Sequence, residues 1–86
     1  MKLYFFHGSW CKSCDAMEPE LDAAIDGMGI ECIKCLMDDE FYSSIAQRYS
    51  IRSIPALVLT KDGGDMLDML IGFHNKGDII EWLSKY

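Results

Sequence analysis

The stretch Trp10-Cys11-Lys12-Ser13-Cys14 places two thiols three positions apart, where an apolar pattern typical of a strand gives way to a helical one. The run before it, residues 2–7, is aromatic and apolar like a buried strand, and Gly8-Ser9 interrupts that run. After it, apolar residues recur at spacings of three and four and form one stripe of a helix: Met17, Leu21, Ala24, Ile25 and Met28. The stretch therefore predicts strand, turn and helix, with Cys11 at the helix N-terminus.

This placement favours redox chemistry at the two cysteines. Residues three apart on a helix have Cβ atoms about 5 to 6 Å apart, close to the separation that a disulfide tolerates. The unpaired N–H groups of a first helical turn stabilise a thiolate, the reactive form of cysteine, and Lys12 adds positive charge beside Cys11. Cys14 lies one turn further in and is expected to be better shielded. Our hypothesis is that Cys11 attacks a disulfide and that Cys14 resolves the mixed disulfide.

Length and charge exclude several classes of protein. The chain has 86 residues, which allows one domain, residues 1–86, with a small core. Its formal charge of −6, with no cluster of lysine or arginine, argues against a nucleic-acid partner. The apolar run near the start of the chain is shorter than the apolar core of a signal peptide. No stretch approaches the ~18 apolar residues of a membrane span. We therefore expect a soluble, cytoplasmic protein without a membrane partner, in which a cysteine pair is catalytic or metal-binding more often than structural.

The remaining chain predicts three further strands, over residues 30–37, 56–60 and 66–71. Lys61-Asp62-Gly63-Gly64 predicts a hairpin turn between the last two, because Asp-Gly and Gly-Gly supply the positive φ that tight turns need. A strand joined through a helix to another strand implies a parallel pair, whereas a hairpin implies an antiparallel one. The order β-α-β-α-β-β-α thus predicts an α/β fold with a mixed four-stranded sheet and helices on both faces.

The helical segments carry their own signals. Pro19 lies inside the first helical stripe, where it should bend the helix; two shorter helices are the alternative. The acidic run Asp38-Asp39-Glu40 is interpreted as a solvated helix start, with a metal role as the weaker alternative. The helix that follows it has apolar residues four apart at Phe41, Ile45 and Tyr49. The last helix has Asn75 as its predicted N-cap, and its predicted inward-facing residues are Ile79, Ile80, Trp82 and Leu83.

Together these residues resemble the thioredoxin-like family over nearly the whole chain. The resemblance rests on Trp10 directly before Cys-x-x-Cys, on Pro19 five residues after the second cysteine, on Tyr-Ser-Ile-Arg-Ser-Ile-Pro at 49–55, and on Gly72 after the last strand. It implies a thioredoxin-like fold and a small thiol-disulfide oxidoreductase that reduces protein disulfides.

The resemblance also implies the composition of the site. The Ile54-Pro55 bond would be cis, and a substrate peptide would dock beside the dithiol on an apolar rim formed by Trp10, Ile54, Pro55, Gly72 and Phe73. Ordinary packing is the alternative for Trp10 and Phe73. No bound cofactor is expected beyond the redox-active disulfide Cys11-Cys14. Electrons would come from an NADPH-dependent reductase or from glutathione, and we expect a monomer.

Three departures from the family limit what the resemblance implies. The family's usual first strand and helix are missing, which makes this a minimal version nearer in size to glutaredoxins. Lys12 and Ser13 replace the thioredoxin dipeptide Gly-Pro, and they are expected to tune the relative stability of dithiol and disulfide. Phe5 stands where thioredoxins often carry a buried aspartate that assists proton transfer. His7 could serve instead, although a packed or solvated histidine is the more common outcome.

Two other functions compete with this interpretation. The four cysteines follow the spacing Cys-x₂-Cys-x₁₇-Cys-x₂-Cys, as in a structural zinc site. Cys32 and Cys35, however, fall within a predicted strand, where residues three apart point to opposite faces about 10 Å apart. We therefore predict no metal and two free thiols, one on each face of the sheet. The second alternative is a thioredoxin-like docking module in which the Cys11-Cys14 pair has no redox role.

Overall fold

The structure is a computed structural model that describes residues 1–62 and 64–86. Its elements are β1 (Lys2–His7), α1 (Lys12–Ile25), β2 (Glu31–Leu36), α2 (Glu40–Arg48), β3 (Ala56–Thr60), β4 (Met66–Ile71) and α3 (Lys76–Leu83). The predicted order of strands and helices is confirmed. The predicted hairpin turn falls partly on Gly63, which lies outside the described residues.

The four strands form one sheet in the order β2-β1-β3-β4. Strand β1 pairs in parallel with β2 and antiparallel with β3, and β3 pairs antiparallel with β4. The sheet is therefore mixed, as predicted. Strand β1 lies inside it, with Phe5 opposite Lys34 on one side and Leu57 on the other. Since β1 is an inner strand, the turn that leads to the two cysteines starts from the middle of the sheet.

Each face of the sheet has its own apolar cluster. Because side chains alternate along a strand, Phe5 joins the cluster under α1 and α3, while its neighbour Phe6 joins the cluster under α2. Both phenylalanines are fully buried, and every residue of β3 is buried. The helices thus lie on both faces of the sheet, as predicted. The apolar face of α1 is buried against the sheet, and this burial anchors the helix whose first turn contains the cysteine pair.

The two cysteines of β2 lie on opposite faces, as predicted from the strand period. Cys35 is fully buried in the cluster under α2, whereas Cys32 packs against the cluster under α1. Both are free thiols. Among residues 1–62 and 64–86, no group of three or more histidine, cysteine or acidic side chains is placed to hold a metal ion. Because Cys32 and Cys35 face apart, one tetrahedral ion could not bind both without disruption of β2.

Several helical details differ from the sequence-based expectation. Helix α1 is one helix with Pro19 inside it, so the alternative of two shorter helices is wrong. The prediction that Ile80 faces inward is wrong, because Ile80 is 37% exposed and the buried residues of α3 are Ile79, Trp82 and Leu83. Each helical residue is rotated by about 100° from the one before it, and the buried face of α3 is centred on Ile79, Trp82 and Leu83, which leaves Ile80 on the side that faces solvent. Phe41 is 64% exposed at the start of α2, outside the buried face of that helix.

A group that we call the C-terminal clamp, Asp68, Trp82 and Tyr86, ties α3 and the chain end to β4. The Asp68 carboxylate accepts hydrogen bonds from Trp82 Nε1 at 2.9 Å and from the Tyr86 hydroxyl. The hydrogen bond from Tyr86, then that from the Met69 N–H, and that from Trp82 hold the pKa of Asp68 below its ordinary value. At the other end of α3, Asn75 caps the helix by accepting the Asp78 N–H at 2.8 Å, as predicted. Both ends of α3 are therefore held by side chains.

Candidate active site

Cys11 and Cys14 form a disulfide at the N-terminus of α1, with Cα atoms 5.2 Å apart. Cys11 is the N-cap of the helix, with extended backbone angles, and its Sγ accepts a hydrogen bond from the Cys14 N–H at 3.2 Å. The Cys11 N–H in turn donates to the Gly8 carbonyl at 3.1 Å, which closes the turn after β1. Strand, turn and helix thus meet at the dithiol in the predicted order.

The two sulfurs differ in their surroundings. Both belong to the core under α1, but Cys14 is 1% exposed, whereas Cys11, at the end of the helix, is 9% exposed. The Cys11 Sγ also lies 3.4 Å from the Ser13 hydroxyl. On reduction, the Cys14 N–H would donate a hydrogen bond to a Cys11 thiolate, and the helix dipole would stabilise its negative charge. Cys11 is therefore the more exposed of the two cysteines, and its Sγ is the one that faces the N–H donor of the helix terminus.

Trp10 lies against Gly8 and Ile54. A Cβ atom placed on Gly8 would come within 2.9 Å of Trp10 Cζ2 and 3.0 Å of Ile54 Cδ1. The absence of a side chain at Gly8 is therefore what allows the indole and Ile54 to approach the turn closely. Trp10 itself is 66% exposed, so its ring presents an apolar surface beside the disulfide. From the sequence, Gly8 was interpreted only as a break after the strand, and its packing role gave no signal.

The loop before β3 meets the end of β4 next to this surface. The Ile54-Pro55 peptide bond is cis, as the family resemblance implies. The Pro55 carbonyl accepts the Gly72 N–H at 2.8 Å, and Gly72 has a φ of 90°, a conformation that favours glycine. Phe73 follows with half of its side chain exposed. The structure thus brings together Trp10 with Ile54, and Pro55 with Gly72, from three separate segments of the chain.

The position of the missing aspartate is apolar in the structure as well as in the sequence. Phe5 is fully buried in the core that contains Cys14. The His7 ring stacks on the Phe5 ring, with centroids 5.2 Å apart and planes inclined by 7°. His7 is therefore packed at the end of β1, which is one of the two ordinary structural roles considered for it. Its assistance in proton transfer stays a prediction.

Sequence reasoning missed one polar contact of the site. Asp38, just after β2, accepts the Ser9 N–H at 3.1 Å and the Ser9 hydroxyl at 2.6 Å. The hydrogen bond from the Ser9 hydroxyl, followed by that from the Ser9 N–H, holds the pKa of Asp38 below its ordinary value. The helix start predicted for the acidic run is confirmed at Asp39, which caps α2 by accepting the Phe41 N–H at 2.9 Å. Ser9 and Asp38 are 29 residues apart, so no local pattern indicates their contact.

The thiols of β2 are poor nucleophiles. Burial raises the pKa of Cys32 to about 11 and that of Cys35 to about 12. Both groups are therefore protonated at neutral pH. Near Cys32, Lys34 Nζ contacts Glu18 at 2.7 Å and Asp22 at 2.9 Å, a pair of half-exposed ion pairs that joins β2 to α1. Burial thus disfavours the thiolate form at both Cys32 and Cys35.

A bonded cysteine pair at a helix N-terminus, beside a cis-proline loop on a mixed four-stranded sheet, defines a thiol-disulfide oxidoreductase of thioredoxin-like fold. The comparisons with known proteins agree. The profile of the Thioredoxin family matches residues 2–85. The chain is 34% identical to a thioredoxin of Staphylococcus epidermidis over 89 aligned positions, covering 100% of this chain and 82% of that protein. It is 29% identical to a thioredoxin of Rickettsia bellii, covering 92% of this chain and 74% of that one.

A solved structure is similar over the same extent. The structure described as thioredoxin-2, a component of malaria parasite protein secretion machinery, superposes with a TM-score of 0.85 at 26% identity, covering 99% of this chain and 82% of that one. The chain belongs to the thioredoxin family, and it is a thiol-disulfide oxidoreductase. Members of this family act on disulfide-containing protein substrates, and the redox group here is the Cys11-Cys14 pair. Within the part of the chain that the structure describes, no helix is long and apolar enough to cross a membrane.

Proposed function

We propose that the protein reduces protein disulfides by attack of Cys11 and resolution by Cys14. The observation that carries these roles is the asymmetry of the two sulfurs. Cys11 Sγ accepts the Cys14 N–H at the helix N-terminus, whereas Cys14 is buried at 1% exposure. A thiolate is stabilised at the first position and shielded from substrate at the second.

The reaction proceeds in two exchanges. The Cys11 thiolate attacks one sulfur of a substrate disulfide, and the other substrate sulfur leaves as a thiolate that takes a proton from solvent. Cys14 then loses its proton and attacks Cys11 Sγ, which releases the second substrate thiolate and forms the Cys11-Cys14 disulfide. The second substrate thiolate takes up the proton that Cys14 gave up. The substrate thus gains two electrons and two protons, one proton from solvent and one from Cys14, while the protein loses two electrons and the Cys14 proton. No step requires a bound cofactor or a metal ion.

The substrate chain docks on the apolar rim of Trp10, Ile54, Gly72 and Phe73. The Pro55 side chain is fully buried, so Pro55 contributes to the rim through its carbonyl, which holds Gly72. The exposure of Trp10 and Phe73 supports this role, since large aromatic side chains that stay uncovered mark interaction surfaces. An extended segment of the substrate would lie beside the Ile54 backbone and pair with it as an added strand.

Lys12 and Ser13 tune the dithiol from within the first turn. The Ser13 hydroxyl lies 3.4 Å from Cys11 Sγ and can donate to the thiolate, and the Lys12 side chain is exposed beside it. Both groups favour the reduced form with its anionic sulfur, because they add positive charge or a hydrogen-bond donor.

The redox cycle closes with electrons from an NADPH-dependent flavoprotein reductase or from glutathione. We further propose that residues 1–86 act as one domain, as a monomer, in the cytoplasm. The single continuous sheet supports one domain, and the bacterial thioredoxins that the chain resembles support the compartment. Incubation of the oxidised protein with each donor separately, followed by titration of free thiols, identifies the donor.

Turnover of a protein disulfide tests the proposed roles. With dithiothreitol as the recycling reductant, the wild-type protein should accelerate reduction of insulin, and Cys11→Ser should abolish the acceleration. Cys32→Ser is the matched control, because it removes a half-buried thiol from β2 and should leave the rate unchanged. Acceleration by Cys11→Ser equal to that of the wild type would overturn the assignment of Cys11.

A further inference from the structure

The turn before the dithiol is held by a side chain from a different strand-end loop. Ser9 directly precedes Trp10 and Cys11, and both of its polar hydrogens are directed to one carboxylate. The Ser9 N–H donates to Asp38 Oδ1 and its hydroxyl to Asp38 Oδ2. A carboxylate with two acceptor oxygens thus fixes both the backbone and the side chain of Ser9.

The turn is also held by backbone hydrogen bonds: the Cys11 N–H donates to the Gly8 carbonyl at 3.1 Å, on the far side of Ser9. On one side, Gly8 is packed by Trp10 and Ile54 but has no side chain with which to hold the turn. One residue further back, the His7 carbonyl accepts the Met37 N–H at 2.7 Å, which continues the pairing of β1 with β2. The contact of Ser9 with Asp38 extends this connection one step beyond the sheet, to the residue before Trp10.

We propose that Asp38 is a positioning residue of the redox site: by holding Ser9, it fixes the placement of Trp10 for docking of a protein substrate. The inference rests on the proposed function, since it assumes that Trp10 belongs to the docking rim. Asp38 touches neither sulfur nor substrate in this account. Its effect reaches the site through the Ser9 backbone.

The proposal makes a distinction between substrates. A small aromatic disulfide such as dithiobisnitrobenzoate needs only an accessible Cys11 thiolate, whereas insulin must also fit the rim. Asp38→Ala should therefore lower kcat/KM for insulin by about threefold to tenfold, mainly through KM, the change expected for loss of an ordinary hydrogen bond. The rate with the small disulfide should change by less than about twofold, because no contact of Cys11 is removed.

Two variants separate hydrogen bonding from charge. Asp38→Asn keeps an oxygen for the Ser9 N–H and an amide that can donate to the Ser9 hydroxyl, so it should recover most of the insulin kcat/KM. Ser9→Ala removes the hydroxyl contact alone and should have an intermediate effect. Asp26→Ala is the matched control: it removes the same charge from an exposed position at the far end of α1. It should leave both rates unchanged.

A second measurement does not depend on redox activity. The chain has two tryptophans, so Trp10 fluorescence can be isolated in a Trp82→Phe background. On that background, Asp38→Ala should increase quenching of Trp10 by iodide, and Asp38→Asn should restore the original quenching. If the protein failed to reduce insulin at all, the proposed function would fail while this measurement still tested the role of Asp38.

Three results would overturn the proposal. They are an unchanged insulin kcat/KM with unchanged quenching in Asp38→Ala, an equal loss of rate with insulin and with the small disulfide, and failure of Asp38→Asn to recover activity. The second would indicate a general loss of the native structure. The third would indicate that the negative charge, and not the contact with Ser9, carries the effect.

Discussion

Substitution of Gly8 by alanine should displace Trp10 without unfolding the protein. The new Cβ would lie 2.9 Å from Trp10 Cζ2 and 3.0 Å from Ile54 Cδ1. Carbon atoms pack at about 3.5 to 4.0 Å, so the indole and Ile54 must together retreat by about 0.6 to 1 Å. Trp10 is 66% exposed and can move outward, whereas Ile54 is held by the following Pro55 loop. The indole therefore takes most of the displacement.

The expected result is a loss of substrate recognition at nearly constant stability. Alanine reduces the entropy of the unfolded chain, which is worth about 0.4 to 1 kcal/mol, and this gain offsets part of the cost of the contact. Displacement by about 1 Å, in contrast, is enough to impair docking. Gly8→Ala should thus raise KM for insulin several-fold while the free energy of unfolding changes by no more than about 1 kcal/mol.

Insulin reduction at varied concentration and urea unfolding, each on the same preparation, measure the two effects of Gly8→Ala. Gly77→Ala in α3 is the control, because its Cβ would meet Asn75 Oδ1 at 3.4 Å and would have neither Trp10 nor Ile54 within 4 Å. It should stabilise the protein modestly, as helical alanine does relative to glycine, without a change in KM. An unchanged KM in Gly8→Ala would refute the argument that the glycine allows Trp10 to close on the turn.

Three further predictions follow from burial and charge. Phe5→Ala should lower the free energy of unfolding by about 3 to 5 kcal/mol in urea titration, because it leaves a cavity in the core under α1; a loss below about 1 kcal/mol would contradict the packing. In the reduced protein near pH 7, iodoacetamide should label Cys11 well before Cys32 or Cys35, because burial raises the pKa values of those two thiols to about 11 and about 12. Peptide mass spectrometry gives the order of labelling, and early labelling of Cys35 would contradict the prediction. The pKa of Asp68 is depressed in the folded protein, so the C-terminal clamp contributes stability above the unfolded pKa of about 3.9, and this stability is lost as the pH falls through the folded pKa. The urea midpoint of Asp68→Asn should therefore fall less between pH 7 and pH 3 than that of the wild type. An equal fall would argue against the clamp.

The features that could be predicted from sequence are those with a short period. The alternation along residues 30–37 places Cys32 and Cys35 on opposite faces, because consecutive strand residues point to opposite sides. The helical stripe after Cys14 faces the core, and Met17 and Leu21 are fully buried. Local chemistry of this kind also locates helix starts, such as the cap at Asn75.

The features that sequence could not predict depend on contacts between distant segments. The hydrogen bonds of Ser9 with Asp38 require the parallel register of β1 with β2, which brings the two strand ends together. The close approach of Trp10 to Gly8 and Ile54 depends on side-chain packing across two loops. Such contacts are set by the tertiary fold and leave no periodic trace in the chain.

The orientation of apolar residues in the short helices has the same origin. In sequence, Phe41 fits the apolar stripe of α2 and Ile80 fits that of α3, yet both side chains are exposed. Helix α3 has 8 residues, so a small change in its rotation decides which apolar residues face the sheet. The hydrogen bond from Trp82 to Asp68 accompanies the orientation that buries Trp82 and leaves Ile80 outward.

The central claim is that Cys11 attacks the substrate and Cys14 releases it, and mixed-disulfide trapping tests it most directly. Reduced Cys14→Ser and Cys11→Ser proteins are each incubated with an excess of oxidised protein substrate, quenched with acid and alkylated, and separated on non-reducing gels. The account predicts that Cys14→Ser accumulates a mixed disulfide that dithiothreitol reduces, because the attacking thiolate remains and the resolving thiol is gone. Cys11→Ser should trap little or nothing. Equal trapping by both variants would contradict the assigned roles, and no trapping by either would contradict a redox function of the pair.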